Sequence, residues 1–167
     1  MIIDLNEIRD ATHFEDLAAA YFNELKKGKS SNISNVKTKQ SGVGTDGGRD
    51  ILVEFDLYDA VVDFKRKWVV QCKFHESNIS PAHINTINIP SLIHSYKAAG
   101  YLLICKNNPT SGITDLFERL NEECKFKYHY ECWTGEIFKS KLNVTESLHA
   151  QFFPKYHEFI QSKRNSI

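Results

Sequence analysis

The sequence predicts an α/β domain in which a mixed central β-sheet is flanked by helices on both faces. Helical and strand patterns alternate along the chain, which favours crossover connections between neighbouring strands. Residues 101–105 form a continuous apolar run, which is typical of a strand that is covered on both faces. With 167 residues and 41% hydrophobic content, the chain suits a single domain over residues 1–167 that closes with a helical segment at 136–167.

The N-terminal part of the chain predicts a helix and then a strand. Thr12 and Glu15 have the spacing of a capping box, and Phe14, Leu17 and Tyr21 follow at helical spacing. The helix is expected to end near Gly28, before a first strand at residues 35–40.

A glycine-rich turn over residues 41–48 leads into a predicted hairpin. Its strands are expected at 51–55 and 68–74, with a connector at 57–66. Because side chains alternate along a strand, Gln71 and Lys73 project from the same face of an otherwise apolar strand. Burying an unpaired ammonium is costly, so this face requires water or a partner carboxylate.

The second half of the chain alternates helical and strand patterns, which favours parallel pairing of its strands. The predicted elements are a helix at 82–99 that is capped by Ser80 and broken at Pro90, a strand at 101–105, a helix at 113–124, a strand at 127–133, a short helix after Gly135 and a closing helix in the aromatic tail.

Composition excludes several classes of protein. No apolar run approaches the roughly 20 residues that span a bilayer, and the N-terminus has acids where a signal peptide has bases, so we expect a cytoplasmic protein with no membrane partner. The four cysteines are scattered and predict reduced thiols. A zinc site at Cys124, His129 and Cys132 is disfavoured, because strand alternation would divide these ligands between two faces.

Asp50 is the nearest partner for the polar face of the hairpin. If the two strands pair as an antiparallel hairpin, Asp50 falls close to Gln71 and Lys73. The Asp50 carboxylate and the Gln71 side-chain oxygen are ligands of the type that Mg²⁺ prefers, and Lys73 can orient or deprotonate a water molecule. The simpler interpretation is a structural hairpin that carries a surface salt bridge.

Two segments resemble the Mrr-like restriction endonucleases of the PD-(D/E)XK nuclease superfamily. They are Gly44-Thr45-Asp46-Gly47-Gly48-Arg49-Asp50 and Gln71-Cys72-Lys73, which are similar to the Gly-x-Asp-Gly-Gly-x-Asp and Gln-x-Lys signatures of that family. The resemblance covers about residues 10–135, taken as the catalytic core, and implies a restriction-endonuclease-like fold.

The resemblance also implies roles for individual residues. Asp50 would be the metal-binding acid, Gln71 would take the position of a second acid, and Lys73 would be the catalytic lysine. Glu15, in a segment that resembles the first helix of such nucleases, would be a further catalytic and metal-binding residue unless it serves only to cap the helix. The backbone carbonyl of Cys72 would complete a Mg²⁺ site in which Mn²⁺ can substitute.

DNA is the expected partner, although the net charge of zero is not typical of a dedicated nucleic-acid-binding protein. The glycine turn, with Gly47, Gly48 and Arg49, is expected to approach a phosphate backbone. Lys39, from a basic cluster before the turn, is a further expected contact, and the resemblance implies another at His75, which follows Lys73. Solvated loop charges and a surface histidine are the alternative interpretations.

Three functional hypotheses follow. The first is a metal-dependent endonuclease that hydrolyses DNA phosphodiester bonds in bacterial defence against foreign DNA. The second is a nucleic-acid-binding module of the same fold with weak or no cleavage, because the Gln71 amide gives a cation less charge than a carboxylate does. The third, which the resemblance to Mrr-like nucleases implies, places this domain in a larger regulated protein, with a fused or associated ATPase or sensor domain and a homodimer or higher assembly as the active form.

Overall fold

A five-stranded mixed β-sheet forms the centre of the structure, a computed structural model that describes residues 2–27, 32–41, 49–125 and 127–165. The strands lie in the sheet in the order in which they occur in the chain. They are β1 (Ile33–Gln40), β2 (Ile51–Tyr58), β3 (Asp63–Lys73), β4 (Gly100–Cys105) and β5 (His129–Trp133).

The sheet changes from antiparallel to parallel pairing at β3. β1, β2 and β3 form an antiparallel meander, whereas β3, β4 and β5 run parallel. The mixed sheet expected from the sequence is therefore confirmed. All six residues of β4 are buried, as the continuous apolar run at 101–105 predicts.

Helices cover both faces of the sheet, and each face has its own hydrophobic core. On one face, α1 (Ala11–Glu24) packs over Val53 and Val70 together with the C-terminal helices. On the other face, Val69 and Leu103 pack beneath the two crossover helices, α2 (Ile89–Tyr96) and α3 (Ser111–Cys124). The remaining helices are α4 (Gly135–Asn143), α5 (His149–Phe152) and α6 (Pro154–Arg164).

The N-terminus of α1 differs from the prediction. Asp10 is the N-cap, and its carboxylate accepts a hydrogen bond of 2.8 Å from the backbone N–H of His13. Thr12 lies inside the helix, so the predicted capping box of Thr12 and Glu15 is wrong. The physical reason is that aspartate is a stronger N-cap than threonine. Glu15 is therefore released from a capping role.

Two other predicted elements have different bounds in the structure. The helix predicted at 82–99 is divided into a 3-10 turn at Pro81–His83, capped by Ser80, and the separate helix α2, in whose first turn Pro90 lies. The predicted connector at 57–66 is mostly strand, because β2 extends to Tyr58 and β3 begins at Asp63. Among the described helices, none is both long enough and apolar enough to cross a membrane.

Candidate active site

Asp50 lies where β2 begins, beside the C-terminal half of β3. Its backbone N–H donates to the carbonyl of Val70 at 3.0 Å, and its carboxylate Oδ2 accepts a 2.6 Å hydrogen bond from the backbone N–H of Cys72. Ile51 pairs with Val70 in the adjacent register position. The hairpin therefore brings Asp50 to the Gln-Cys-Lys segment, as the antiparallel pairing predicts.

Two opposing effects act on the Asp50 carboxyl group. Burial raises its pKa above the ordinary value, whereas the hydrogen bond from Cys72 and the positive charge of Lys73 lower it. The net effect is a raised pKa. Lys73 is half-buried at the end of β3 and is close enough to act on Asp50 electrostatically.

Glu15 reaches the same site from α1. Burial and the negative charges of Asp50 and Asp16 raise the pKa of Glu15 from 4.5 to about 7. The structure therefore brings Glu15 and Asp50 together as two interacting carboxyl groups. Two like charges in a half-buried setting repel each other, and a bound cation would relieve this repulsion.

Gln71 is nearly fully buried, with 5% of its surface exposed. Its side-chain Oε1 accepts a 2.7 Å hydrogen bond from the phenolic O–H of Tyr101 on the neighbouring strand β4. An amide oxygen has two lone pairs, so this contact leaves one of them for another partner. Sequence reasoning missed Tyr101, because it begins an apolar run in which an aromatic residue indicates core packing.

The donor chemistry of this cluster fits a hard divalent cation. Asp50 and Glu15 offer carboxylate oxygens, and Gln71 offers an amide oxygen, which are the ligand types of Mg²⁺ and Mn²⁺. Across the described ranges, no three His, Cys, Asp or Glu side chains are grouped so as to hold a metal ion. A site here would rely on two carboxylates, neutral oxygens and the substrate, as Mg²⁺ sites commonly do.

The thiol of Cys72 is affected by both carboxyl groups. Burial and the negative charges of Asp50 and Glu15 raise the pKa of its thiol well above the ordinary value, so the thiol stays protonated. The role predicted for its backbone carbonyl as a metal ligand stays a prediction.

The residues predicted to contact nucleic acid are in different settings. Gly47 and Gly48 lie outside the described residues. Arg49 is 7% exposed, and its guanidinium lies 4.7 Å from the centre of the Tyr96 ring. This arrangement orders Arg49 against α2.

Lys39 and His75 are both exposed. Lys39 lies on β1, the edge strand of the sheet. His75 follows β3, and its ring packs edge-on against His83 at a centroid distance of 4.8 Å. Their contacts with DNA, like that of Arg49, stay predictions.

Lys106 is a second residue near the site, after Tyr101, that sequence reasoning missed. It follows β4, and its backbone N–H donates to the carbonyl of Lys73 at 3.0 Å. Its side chain is 6% exposed, pairs with Glu76 at 2.5 Å and lies 4.4 Å from the centre of the Phe74 ring. The signal in the sequence was a lysine directly after a buried strand. In the fold, the end of that strand, β4, lies next to the end of β3, which places the lysine beside Lys73.

Comparisons with known proteins bear on the family and the fold of the chain. The chain matches the profile of a family described as restriction endonuclease, Mrr_cat, over residues 8–123. No curated protein matches the chain.

Two solved structures are similar in fold. One is the MspJI restriction endonuclease in complex with a 27-mer oligonucleotide, with a TM-score of 0.56 and 15% identity over 83% of this chain and 28% of that chain. The other is the DNA modification-dependent restriction endonuclease AspBHI, with a TM-score of 0.50 and 10% identity over 98% of this chain and 43% of that chain. The chain thus spans less than half the length of either protein, and the restriction-endonuclease-like fold is confirmed.

Proposed function

The chain belongs to the Mrr_cat restriction endonuclease family, and from this premise we propose that it is a metal-dependent endonuclease that hydrolyses phosphodiester bonds in DNA. The observation that carries the proposal is the convergence of Asp50, Glu15 and Lys73 at one end of the hairpin. Two interacting carboxyl groups beside a lysine provide both a cation site and a group that can act on water.

Each residue has a distinct part in the proposed reaction. Asp50 and Glu15 would hold Mg²⁺ or Mn²⁺ together with the Gln71 side-chain oxygen and the Cys72 carbonyl. The cation, when bound, neutralises phosphate charge and makes water more acidic. Lys73 orients the attacking water through its N–H donors or, when neutral, accepts the proton that the water loses.

The hydrogen bond from Cys72 to Asp50 supports the binding role of this carboxylate. It holds one carboxylate oxygen 2.6 Å from the Cys72 backbone nitrogen, and the second oxygen is the one that would bind the cation. The raised pKa of Glu15, at about 7, adds a pH requirement, because only the ionised carboxylate binds a cation. Metal binding should therefore strengthen as the pH rises through 7.

A nucleic-acid-binding module with weak or no cleavage is the second candidate. The observation that favours it is the neutral amide of Gln71, which gives a cation less charge than a second carboxylate does. Glu15 compensates for this loss in the endonuclease proposal, so the two candidates differ in whether Glu15 binds the cation.

DNA would approach the face formed by the strand ends. Lys39, Arg49 and His75 are the proposed contacts from the described residues, together with the glycine turn at Gly47 and Gly48. The MspJI structure contains an oligonucleotide, which supports nucleic acid as the partner for this fold.

The lengths of the two similar structures bear on the cellular setting of this chain. The chain covers 28% and 43% of the two similar structures, so a place within a larger regulated protein is consistent with their size. We propose cytoplasmic defence against foreign DNA, with an associated sensor or ATPase domain and a dimer or higher assembly that pairs two active sites. A domain of one active site cuts one strand at a time, so a double-strand break requires two such sites.

Cleavage and binding measured separately test the proposal. Wild type and Asp50→Asn would be incubated with supercoiled plasmid in EDTA, Mg²⁺, Mn²⁺ or Ca²⁺, while DNA binding is measured by fluorescence anisotropy. We expect nicked and linear plasmid only with wild type in Mg²⁺ or Mn²⁺, and DNA binding by both proteins in Ca²⁺. Binding without cleavage by wild type in any metal would favour the second candidate, and equal cleavage by both proteins would contradict a role for Asp50.

A further inference from the structure

Gln71 presents a problem of orientation that a glutamate would not have. An amide has an oxygen at one end and an NH₂ group at the other, and only the oxygen can bind a cation. Before a cation binds, the negative charge of Asp50, which lies across the strand pair, would attract the NH₂ group instead. Some feature of the protein must therefore hold the oxygen toward the site.

Tyr101 has the chemistry to do so. Its side chain is fully buried, and its phenolic O–H donates to Gln71 Oε1 at 2.7 Å. A buried hydroxyl requires a hydrogen-bond partner, and the O–H proton can be accepted by the amide oxygen but not by the amide NH₂ group. Reversing the amide would direct its NH₂ group at the phenolic oxygen, which can accept a hydrogen bond, but it would leave the buried O–H proton without the acceptor that it has in the structure.

The contact lies on the face of the sheet from which Gln71 and Lys73 project. Val69 and Tyr101 are partners in the register of β3 and β4 and share one core face. Gln71 projects from the same face two residues further along β3. Asp50 lies across the strand pair from Gln71, because its backbone N–H donates to the Val70 carbonyl and its carboxylate accepts a hydrogen bond from the Cys72 N–H.

We propose that Tyr101 is a positioning residue that fixes the Gln71 amide with its oxygen beside Asp50. A carboxylate at this position would have an oxygen at both ends and would need no residue to fix its orientation. This inference rests on the proposed function, because it concerns the same cation site. It assigns Tyr101 no direct contact with the substrate or the cation.

The test uses a symmetrical side chain as its control. Mn²⁺ affinity would be measured by electron paramagnetic resonance, without DNA, for wild type, Tyr101→Phe, Gln71→Glu and the Gln71→Glu/Tyr101→Phe double variant. Loss of one hydrogen bond that selects the amide orientation should weaken Mn²⁺ binding at least about fivefold in Tyr101→Phe. A carboxylate has oxygen at both ends, so Tyr101→Phe should cause no weakening in the Gln71→Glu background. Melting temperatures of all four proteins would show whether the fold is retained.

The outcomes separate positioning from packing. Equal weakening of Mn²⁺ binding by Tyr101→Phe in both backgrounds would overturn the proposal, since the phenol would then act through packing alone. Unchanged affinity in the wild-type background would also overturn it. If wild type bound no Mn²⁺ and cleaved no DNA, both this inference and the proposed function would fail, whereas a failure confined to the Tyr101 variants would leave the proposed function standing.

Discussion

Replacing Glu15 by glutamine should stabilise the metal-free protein at neutral and alkaline pH while it weakens cation binding. The Glu15 carboxyl group lies in a half-buried setting near the negative charge of Asp50. Its ionisation therefore costs free energy in the folded protein that it does not cost in the unfolded chain. Glutamine keeps the shape of the side chain and removes that cost.

The magnitude follows from the pKa of Glu15, which rises from 4.5 to about 7. At about 1.36 kcal/mol per pKa unit, ionisation of Glu15 would lower the free energy of unfolding by about 3 kcal/mol as an upper bound. Because the side chain is only partly buried, solvent screening reduces the expected effect to about 1 to 2 kcal/mol. This is a measurable fraction of the stability of an ordinary domain.

The pH dependence has a definite sign. Below pH 4.5, Glu15 is protonated in both the folded and the unfolded state, so wild type and Glu15→Gln should be equally stable. As the pH rises from 4.5 through 7, the unfolded chain ionises first, and wild type loses stability relative to the variant. Above that window the full difference should be present.

Urea denaturation in EDTA, followed by tryptophan fluorescence at several pH values from 4 to 8, measures this difference directly. Glu118→Gln, which changes an exposed glutamate on α3, is the matched control and should show no such trend. A Glu15→Gln protein that is no more stable than wild type at pH 8, or a difference that does not change with pH, would refute the burial of the Glu15 carboxyl group beside Asp50. The same variant should bind Mn²⁺ about tenfold or more weakly, since it loses a charged ligand.

Three further changes test other parts of the structure. Gln71→Glu adds a carboxylate beside Asp50 and should tighten Mn²⁺ binding about tenfold, as measured by calorimetric titration; weaker binding would place the side-chain oxygen away from the cation. Glu76→Gln should lower the free energy of unfolding in urea by about 1 to 2 kcal/mol, because it leaves the buried ammonium of Lys106 unpaired. Lys106→Met leaves only an exposed acid and should cost less. The reverse order would contradict the buried pair. Gly135→Ala should lower the free energy of unfolding by about 2 kcal/mol or more, because the new Cβ would lie 2.0 Å from the backbone carbonyl oxygen of Lys106. In Gly112→Ala the new Cβ would meet the movable ring of Pro81 at 3.0 Å, so this change should cost less. Equal stability of both variants would contradict the close approach at Gly135.

The hairpin was predictable because its features are local in sequence. Alternation placed Gln71 and Lys73 on one face, and antiparallel pairing placed Asp50 beside them, as the register of β2 and β3 confirms. Glu15 required one more step, since its distance from Asp50 depends on how α1 packs over the sheet. The sequence supplied only the position of Glu15 at the flank of an apolar stripe.

Tyr101 and Lys106 could not be found in the same way. Tyr101 contacts Gln71 across 30 residues of chain, and its setting at the start of a buried strand indicates core packing. Lys106 pairs with Glu76, also across 30 residues, where the ends of two parallel strands meet. Contacts of this kind depend on the parallel register of β3 and β4, which the pattern of hydrophobic residues does not specify.

Lys73 is proposed to act on water at a cation site, and single-turnover cleavage of supercoiled plasmid in Mg²⁺ measures that role. Lys73→Met would be compared with wild type and with Lys67→Met, a matched change on the same face of β3, about 20 Å away, where the lysine pairs with Glu54. DNA binding in Ca²⁺ would be measured for all three proteins. We expect Lys73→Met to cleave at least about 100-fold more slowly while it still binds DNA, and Lys67→Met to cleave at the wild-type rate. Cleavage by purified Lys73→Met at the wild-type rate would contradict the account.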